Sequence, residues 1–242
     1  MKIFILDKHR ITKFNLPEKI DDSFLIPYKI KGKKQQYYVT IEGIDGEWHL
    51  KNNGNIDVFN TKTDSIIPKD KYSYYDLKIL GTNELLTLFA MPSINKEAYK
   101  LSFSGMESIV IGKSKQCNIC YNQELMSDIH AEIKLVNGEY YIVANKDDKY
   151  ATYLNYKRVV TSKLKIGDVI FINGLKIIWM KEFMKINNPN RCVYVSGLKP
   201  YQDNYEDNTK YGTVSDEDQA VDLYSEDDYF YHMPRIVPQI EE

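Results

Sequence analysis

A repeat with an offset of 92 residues limits what this chain can fold into. Shifted by that distance, Ile44-Asp45-Gly46-Glu47-Trp48 falls on Val136-Asn137-Gly138-Glu139-Tyr140. Without a gap, the same offset puts Ile41 on Ile133 and Leu50 on Ile142. It also puts Tyr75-Asp76-Leu77 on Gly167-Asp168-Val169, and Leu85-Leu86 on Ile177-Ile178. Side chains of a strand alternate between faces, so a slip of one residue would turn every core position towards solvent. A register kept over roughly fifty residues therefore predicts two copies of one β-rich unit. Each copy has its own hairpin signal, Asp45-Gly46 and Asn137-Gly138, set between alternating apolar runs.

Composition agrees with strands. Twenty Tyr stand beside only 12 Gly and 8 Pro in 242 residues, a balance that suits pleated surfaces better than long helices. A hydrophobic share of 43% supplies a core, and a net charge of −2 gives no reason to expect a nucleic-acid surface. No run approaches the roughly 20 apolar residues that cross a bilayer. Met1-Lys2-Ile3-Phe4-Ile5-Leu6-Asp7 meets an acid too early for a signal-peptide core, so a cytosolic setting is expected. Cys117-x-x-Cys120 is a single pair with no second half for a structural zinc site. It lies in a segment that reads as a strand, where positions i and i+3 face opposite sides. Partly buried free thiols are expected there, with no metal and no cofactor.

The short β-like runs Lys2–Leu6, Ile11–Leu16 and Ser23–Ile30 precede the repeat. Met91-Pro92-Ser93 marks a junction, since Pro cannot continue a central strand. The expected units are 1–91 and 98–184, followed by a linker and acidic tail over 185–242. Asn187-Asn188-Pro189-Asn190 reads as a turn or linker, and Val193-Tyr194-Val195 as one further short strand. From Tyr201 to His232 ten Asp or Glu face a single Lys, interleaved with aromatic residues. Such a block repels itself and is expected to be largely irregular, docking loosely through its aromatics.

Chemistry concentrates in the second copy. Ile109-Val110-Ile111 leads into Gly112-Lys113-Ser114, then Ser127-Asp128-Ile129-His130, Thr152-Tyr153-Leu154-Asn155 and Gly167-Asp168. Gly112-Lys113-Ser114 is not the end of a P-loop: that motif needs a glycine at position 107, which is Glu, and a flexible loop where this sequence reads as a strand. Ser127 and His130 lack the third orienting group and the oxyanion site of a nucleophilic enzyme. No catalytic residue is assigned. The first copy has Pro27-Tyr28 where Gly112-Lys113 stands and Tyr38 where His130 stands, and its intervening loop is seven residues shorter. It keeps core pattern without loop chemistry and reads as a scaffold or docking module.

The order of these motifs resembles the forkhead-associated (FHA) family over roughly residues 100–181. The resemblance implies an all-β chain: two consecutive FHA-like β-sandwiches followed by an acidic, Tyr-rich, largely irregular tail. FHA loops bind phosphothreonine peptides, which places a phosphopeptide or partner protein on Gly112, Lys113, Ser114, Ser127, Asp128, Thr152 and Asn155. The resemblance gives Lys113 the basic role beside phosphate, Ser127 the donating hydroxyl, and His130 a structural role in the loop. Lys is a point charge where Arg would be a planar fork. Asp128 stands where the family commonly has a basic residue, and at about 5 Å from a phosphate it would cost about 3 kcal/mol at an effective dielectric of about 20. The family's Asn-Gly aligns with Tyr150-Ala151. Docking of unmodified protein partners is therefore expected over strong phosphate dependence.

The whole chain, through to Tyr231-His232-Met233-Pro234-Arg235-Ile236, further resembles the amino-terminal cytosolic region of the EssC family. These are FtsK/SpoIIIE-type membrane ATPases of type VII secretion. That likeness implies a non-enzymatic interaction region on the cytoplasmic face of the cell membrane, ahead of transmembrane and ATPase segments, with secretion-machinery components or secreted substrates as partners. A phosphothreonine-dependent signalling adaptor is the alternative, and the sequence downstream would separate the two.

Overall fold

The computed structural model describes residues 1–30, 33–59, 65–92, 98–145 and 151–201. The acidic tail, Ser93 of the junction and Tyr150 lie outside the described residues. The fold is almost entirely β, as the sequence predicts. The first copy contains β1 (Lys2–Leu6), β2 (Ile11–Asn15), β3 (Ser23–Lys29), β4 (Gln36–Ile44), β5 (Glu47–Lys51), β6 (Ile56–Val58), β7 (Ser65–Ile67), β8 (Ser73–Ile79) and β9 (Leu85–Met91). The second begins with β10 (Ala98–Ser102), β11 (Ser108–Gly112), β12 (Ile119–Tyr121), β13 (Ala131–Val136) and β14 (Glu139–Ala144). It continues with β15 (Thr152–Leu154), β16 (Lys157–Val159), β17 (Thr161–Lys163), β18 (Val169–Ile172) and β19 (Leu175–Trp179). Last come β20 (Phe183–Asn187), β21 (Val193–Val195) and β22 (Lys199–Pro200).

Sheet β2-β1-β9-β8-β6 stacks on β3-β4-β5-β7 in the first copy, and β16-β15-β18-β19-β20-β10-β22 on β17-β14-β13-β11-β12-β21 in the second. The repeat is visible as register. Ile41 pairs with Leu50 and Ile133 with Ile142; Leu77 pairs with Leu86 and Val169 with Ile178. Both hairpin turns place two residues at positive φ, Asp45 and Gly46 at 49° and 76°, Asn137 and Gly138 at 52° and 80°. Those signs fit the primed turn that matches strand twist, which is why Asp-Gly and Asn-Gly occupy it.

The N-terminal strands break the repeat. In the second copy β19 is flanked by β20, which pairs in turn with β10. In the first copy the place beside β9 is taken by β1 and the next by β2, with the same antiparallel directions. One copy thus fills its edge from its own C-terminal side and the other from the chain's start.

The second sandwich also runs past the expected boundary at 184. β20 crosses it, β21 covers the edge of β12, and β22 pairs with β10. The Asn-rich turn is held by its side chains: Asn188 Oδ1 accepts Val193 N–H at 2.8 Å and Asn187 Nδ2 donates to Gly174 O at 2.9 Å. Turn composition announces a reversal of chain direction but does not say whether the turn is buried, and both asparagines are buried.

Residues Met1–Gln202 form one compact unit. A third apolar cluster, including Phe4, Leu6, Phe89, Met91, Tyr153 and Phe171, lies between the outer faces of the two sheets that contain β1 and β18. Phe4 stacks on Phe171 at 5.0 Å, and Phe89 meets the same ring edge-on at 6.1 Å. Polar contacts frame the seam. Asn190 donates to Tyr72 O and accepts from Tyr72 N–H, both at 2.9 Å; at the other side Ile11 N–H donates to Tyr156 O and Arg158 N–H to His9 O, both at 2.9 Å. The copies are antiparallel, so the loops at the β3–β4 end of one and the β11–β13 end of the other open in opposite directions.

Candidate functional site

Two loops of the second copy, 113–118 and 122–130, are fastened together along their backbones. Lys113 N–H donates to Ser127 O at 2.8 Å, Ser114 N–H to Asp128 O at 3.1 Å, and His130 N–H to Ile111 O at 2.9 Å. Gly112 makes this approach possible. A Cβ built there would sit 2.2 Å from Asp128 O and 2.8 Å from its carbonyl carbon, so the requirement is space for backbone. Pro27 at the matching place in β3 sits in the ladder opposite Tyr38. Its ring would fill the space that Gly112 leaves for a neighbouring backbone.

Within this frame the Ser127 side chain is half-buried, and its hydroxyl makes no hydrogen bond among the described residues. Lys113 and Asp128 are exposed and form no ion pair among the described residues. Ser114 Oγ accepts Gln116 N–H at 3.2 Å and closes the loop locally. Beside them Ile129 presents an exposed aliphatic surface. His130 is fully buried, and its carbonyl accepts Asn145 N–H at 2.9 Å. Gly112, Lys113, Ser114, Ser127, Asp128 and His130 are therefore gathered in one place.

Thr152 and Asn155 are not. Thr152 is only 1% exposed, so its side chain cannot face a partner. Asn155 lies in the turn at the far end of β15, three residues and about 10 Å along the strand from Thr152. Its amide is engaged, donating to Asp168 Oδ1 at 2.7 Å and accepting Val169 N–H at 2.9 Å. Asp168 in turn accepts Lys165 N–H at 2.8 Å. These two residues build the sandwich's other end.

Sequence reasoning missed what holds the 122–130 loop. Asn173 Nδ2 donates to Leu125 O, Tyr121 OH donates to Asn173 O at 3.1 Å, and Tyr74 of the first copy donates to Glu124 Oε2 at 2.7 Å. Leu125 packs in the cluster between the copies. Nothing local in the sequence ties Asn173 to Leu125, 48 residues earlier.

The cysteines belong to the same frame. Cys117 lies in the loop before β12 and Cys120 inside it, a departure from the expected strand pair with opposed thiols. Both are buried: Cys117 Sγ donates to Asp128 O at 3.2 Å and Cys120 Sγ to Lys113 O at 3.3 Å. Burial pushes both thiols up from their ordinary range, which lowers the reactive thiolate fraction. Alkylation of native protein with iodoacetamide near neutral pH is expected to modify Cys192 first, with Cys117 and Cys120 following only on unfolding. Equal labelling of all three by peptide mass spectrometry would contradict the burial. No group of His, Cys, Asp or Glu among the described residues could hold a metal, and no helix there is long and apolar enough to cross a membrane.

With this geometry in view, the FHA domain model matches residues 109–173, from β11 to the β18–β19 turn. No curated protein matches the chain. Among solved structures, the N-terminal FHA domain of EssC, described as a component of the bacterial Type VII secretion apparatus, is similar in fold. It has 12% identity, a TM-score of 0.55, and coverage of 81% of this chain and 95% of that one. The FHA-2 domain of the Mycobacterium tuberculosis ABC transporter Rv1747 matches with 21% identity, 39% and 82% coverage and a TM-score of 0.30. The FhaA FHA domain complexed with the intracellular domain of Rv3910 gives 17% identity, 38% and 98% coverage, and a TM-score of 0.27. FHA domains are non-catalytic modules that mediate protein–protein interaction. The FHA domain model thus falls within the second sandwich, in a chain whose overall fold is similar to that of the N-terminal FHA domain of EssC.

Proposed function

We propose that the second sandwich docks partner proteins through the loops around Lys113 and Ser127, largely without need of phosphate, while the first acts as its scaffold. One observation carries this reading: a fixed loop frame presents together Lys113, the exposed Ile129 and the Ser127 hydroxyl, which makes no hydrogen bond among the described residues. The exposed Asp128 beside them opposes a dianion, and the chain has no Asn at position 150 to hold a peptide backbone. Likeness of fold to the EssC region supports a place among type VII secretion components. On that reading the chain serves a membrane ATPase on its cytoplasmic side, and secretion components or substrates are the partners.

Thr213-Val214-Ser215-Asp216, outside the described residues, has the Thr-x-x-Asp form and supplies the test peptide. The phosphorylated and plain peptides are titrated into the full chain and its Ser127→Ala variant. Little difference between the two peptides is expected. Micromolar binding that needs both phosphate and Ser127 would establish the phosphothreonine-dependent adaptor instead.

A further inference from the structure

At the loop end of the first sandwich, the 7–10 turn, the β3–β4 hairpin and the 80–84 turn enclose a cleft of about 360 Å³. Its carboxylates are occupied. Asp7 accepts the backbone N–H of His9 at 2.6 Å and of Arg10 at 2.8 Å, accepts Tyr28 OH at 3.1 Å, and lies 3.7 Å from Arg10 Nε. Glu84 is 3.6 Å from Lys8 Nζ. Lys29 on the rim, and Lys33 and Lys34 on the same hairpin, are exposed and have no carboxylate partner among the described residues. Lys33 N–H donates to Ile30 O at 3.1 Å, and Ile30 lines the cleft.

The second sandwich extends the same surface. Lys157 bridges to Arg10, and Arg158 reaches the first copy with its backbone N–H on His9 O and its guanidinium on Lys8 O at 3.3 Å. Both are exposed, again with no carboxylate partner among the described residues. A chain with net charge −2 thus gathers at one seam cations with no carboxylate partner among the described residues. Asp7 and Glu84 in the cleft are matched by Arg10 and Lys8, so the excess charge beside this concave site is positive and attracts anions to it.

We propose that this basic cleft, shared by the two sandwiches, is a second docking site, and that it takes an extended acidic segment of a partner protein. Lys29 lines the cleft with Tyr28 and Ile30 in its wall, and the Arg158 guanidinium reaches its edge at Lys8 O; that concave shape suits a chain with carboxylates at its sides better than a flat anionic bilayer. The cleft lies at the opposite end of the tandem from Ser127, so it does not depend on the docking reading above.

The probe is a fluorescein-labelled peptide of alternating Asp and Glu, titrated by anisotropy into the full chain. Saturable binding is expected below about 0.1 M salt, where the Debye length is about 10 Å or more, with at least about tenfold weakening on adding salt. A Lys29→Glu/Lys157→Glu/Arg158→Glu variant is expected to bind about tenfold more weakly or worse, because it reverses the excess positive charge beside the cleft. Lys69→Glu, in an exposed turn at the other end of the first sandwich, and Ser127→Ala should leave binding unchanged. Lys29→Gln, a neutral change at an exposed site, repeats the test should the triple variant lose its near-UV circular dichroism. Absence of peptide binding, binding that survives these substitutions, or binding of phosphatidylserine vesicles in place of the peptide overturns the proposal.

Discussion

Replacing Phe171 with alanine is expected to produce the largest stability loss of any single truncation at the seam. The ring is 1% exposed, stacks on Phe4 and meets Phe89 edge-on. Truncations of buried aromatics cost about 3–5 kcal/mol, from lost transfer energy and the cavity left behind. For about 200 residues that corresponds to a fall of roughly 10 °C in melting temperature. Phe171 belongs to neither internal core but to the cluster between the copies, so the change should also loosen the tandem. Tyr74–Glu124 and Leu125 tie the 122–130 loop to the first copy. Faster amide exchange is therefore expected in that loop as well as at the seam. Scanning calorimetry and exchange mass spectrometry measure both effects. A cost no greater than that of the exposed Val160→Ala would mean that the two sandwiches do not stabilise each other.

Gly112→Ala is the second large effect, and it acts through a different term. The new methyl would stand 2.2 Å from Asp128 O and 3.0 Å from Ile129 Cα. Both obstacles are backbone, which cannot turn aside as a side chain can, so one loop must move. Overpacking of this kind costs about 1–3 kcal/mol, and the upper part of that range is expected here. The relief comes by separating the loops, which breaks the Lys113 and Ser114 amide bonds to Ser127 O and Asp128 O. Those two amides should lose protection while amides of the distant β8–β9 ladder keep theirs. Unchanged protection at Lys113 and Ser114 would show that the contact is less tight than the geometry states.

The sequence by itself determined the register and the hairpins within the repeated part of each sandwich. Register is an alternation of period two, so pairs such as Ile41 with Leu50 and Ile133 with Ile142 were legible from the 92-residue offset. Asp45-Gly46 and Asn137-Gly138 named their turns, because few other dipeptides accept two positive φ values. Gly112 and the Ser127–His130 stretch stood out in the sequence by residue type and order, but the close backbone approach at Gly112 is visible only in the structure. Thr152 and Asn155 were misleading. Their types suit a binding loop, but whether a polar side chain faces outward or satisfies its own fold depends on its neighbours in space. Asn155 is engaged by Asp168 and Val169 from another strand.

Only the tertiary structure decided how the copies meet and how the first is completed. A signal for the seam was present: Ile3-Phe4-Ile5-Leu6 and Val169-Ile170-Phe171-Ile172 are continuous apolar runs, as expected for strands buried on both faces. Such runs say that something covers the second face, not what covers it. Likewise β1 and β20 hold equivalent places beside β9 and β19, although they stand on opposite sides of their copies in the chain. A strand edge selects hydrogen-bonding groups and apolar fit, and both are blind to which end of the chain supplies them.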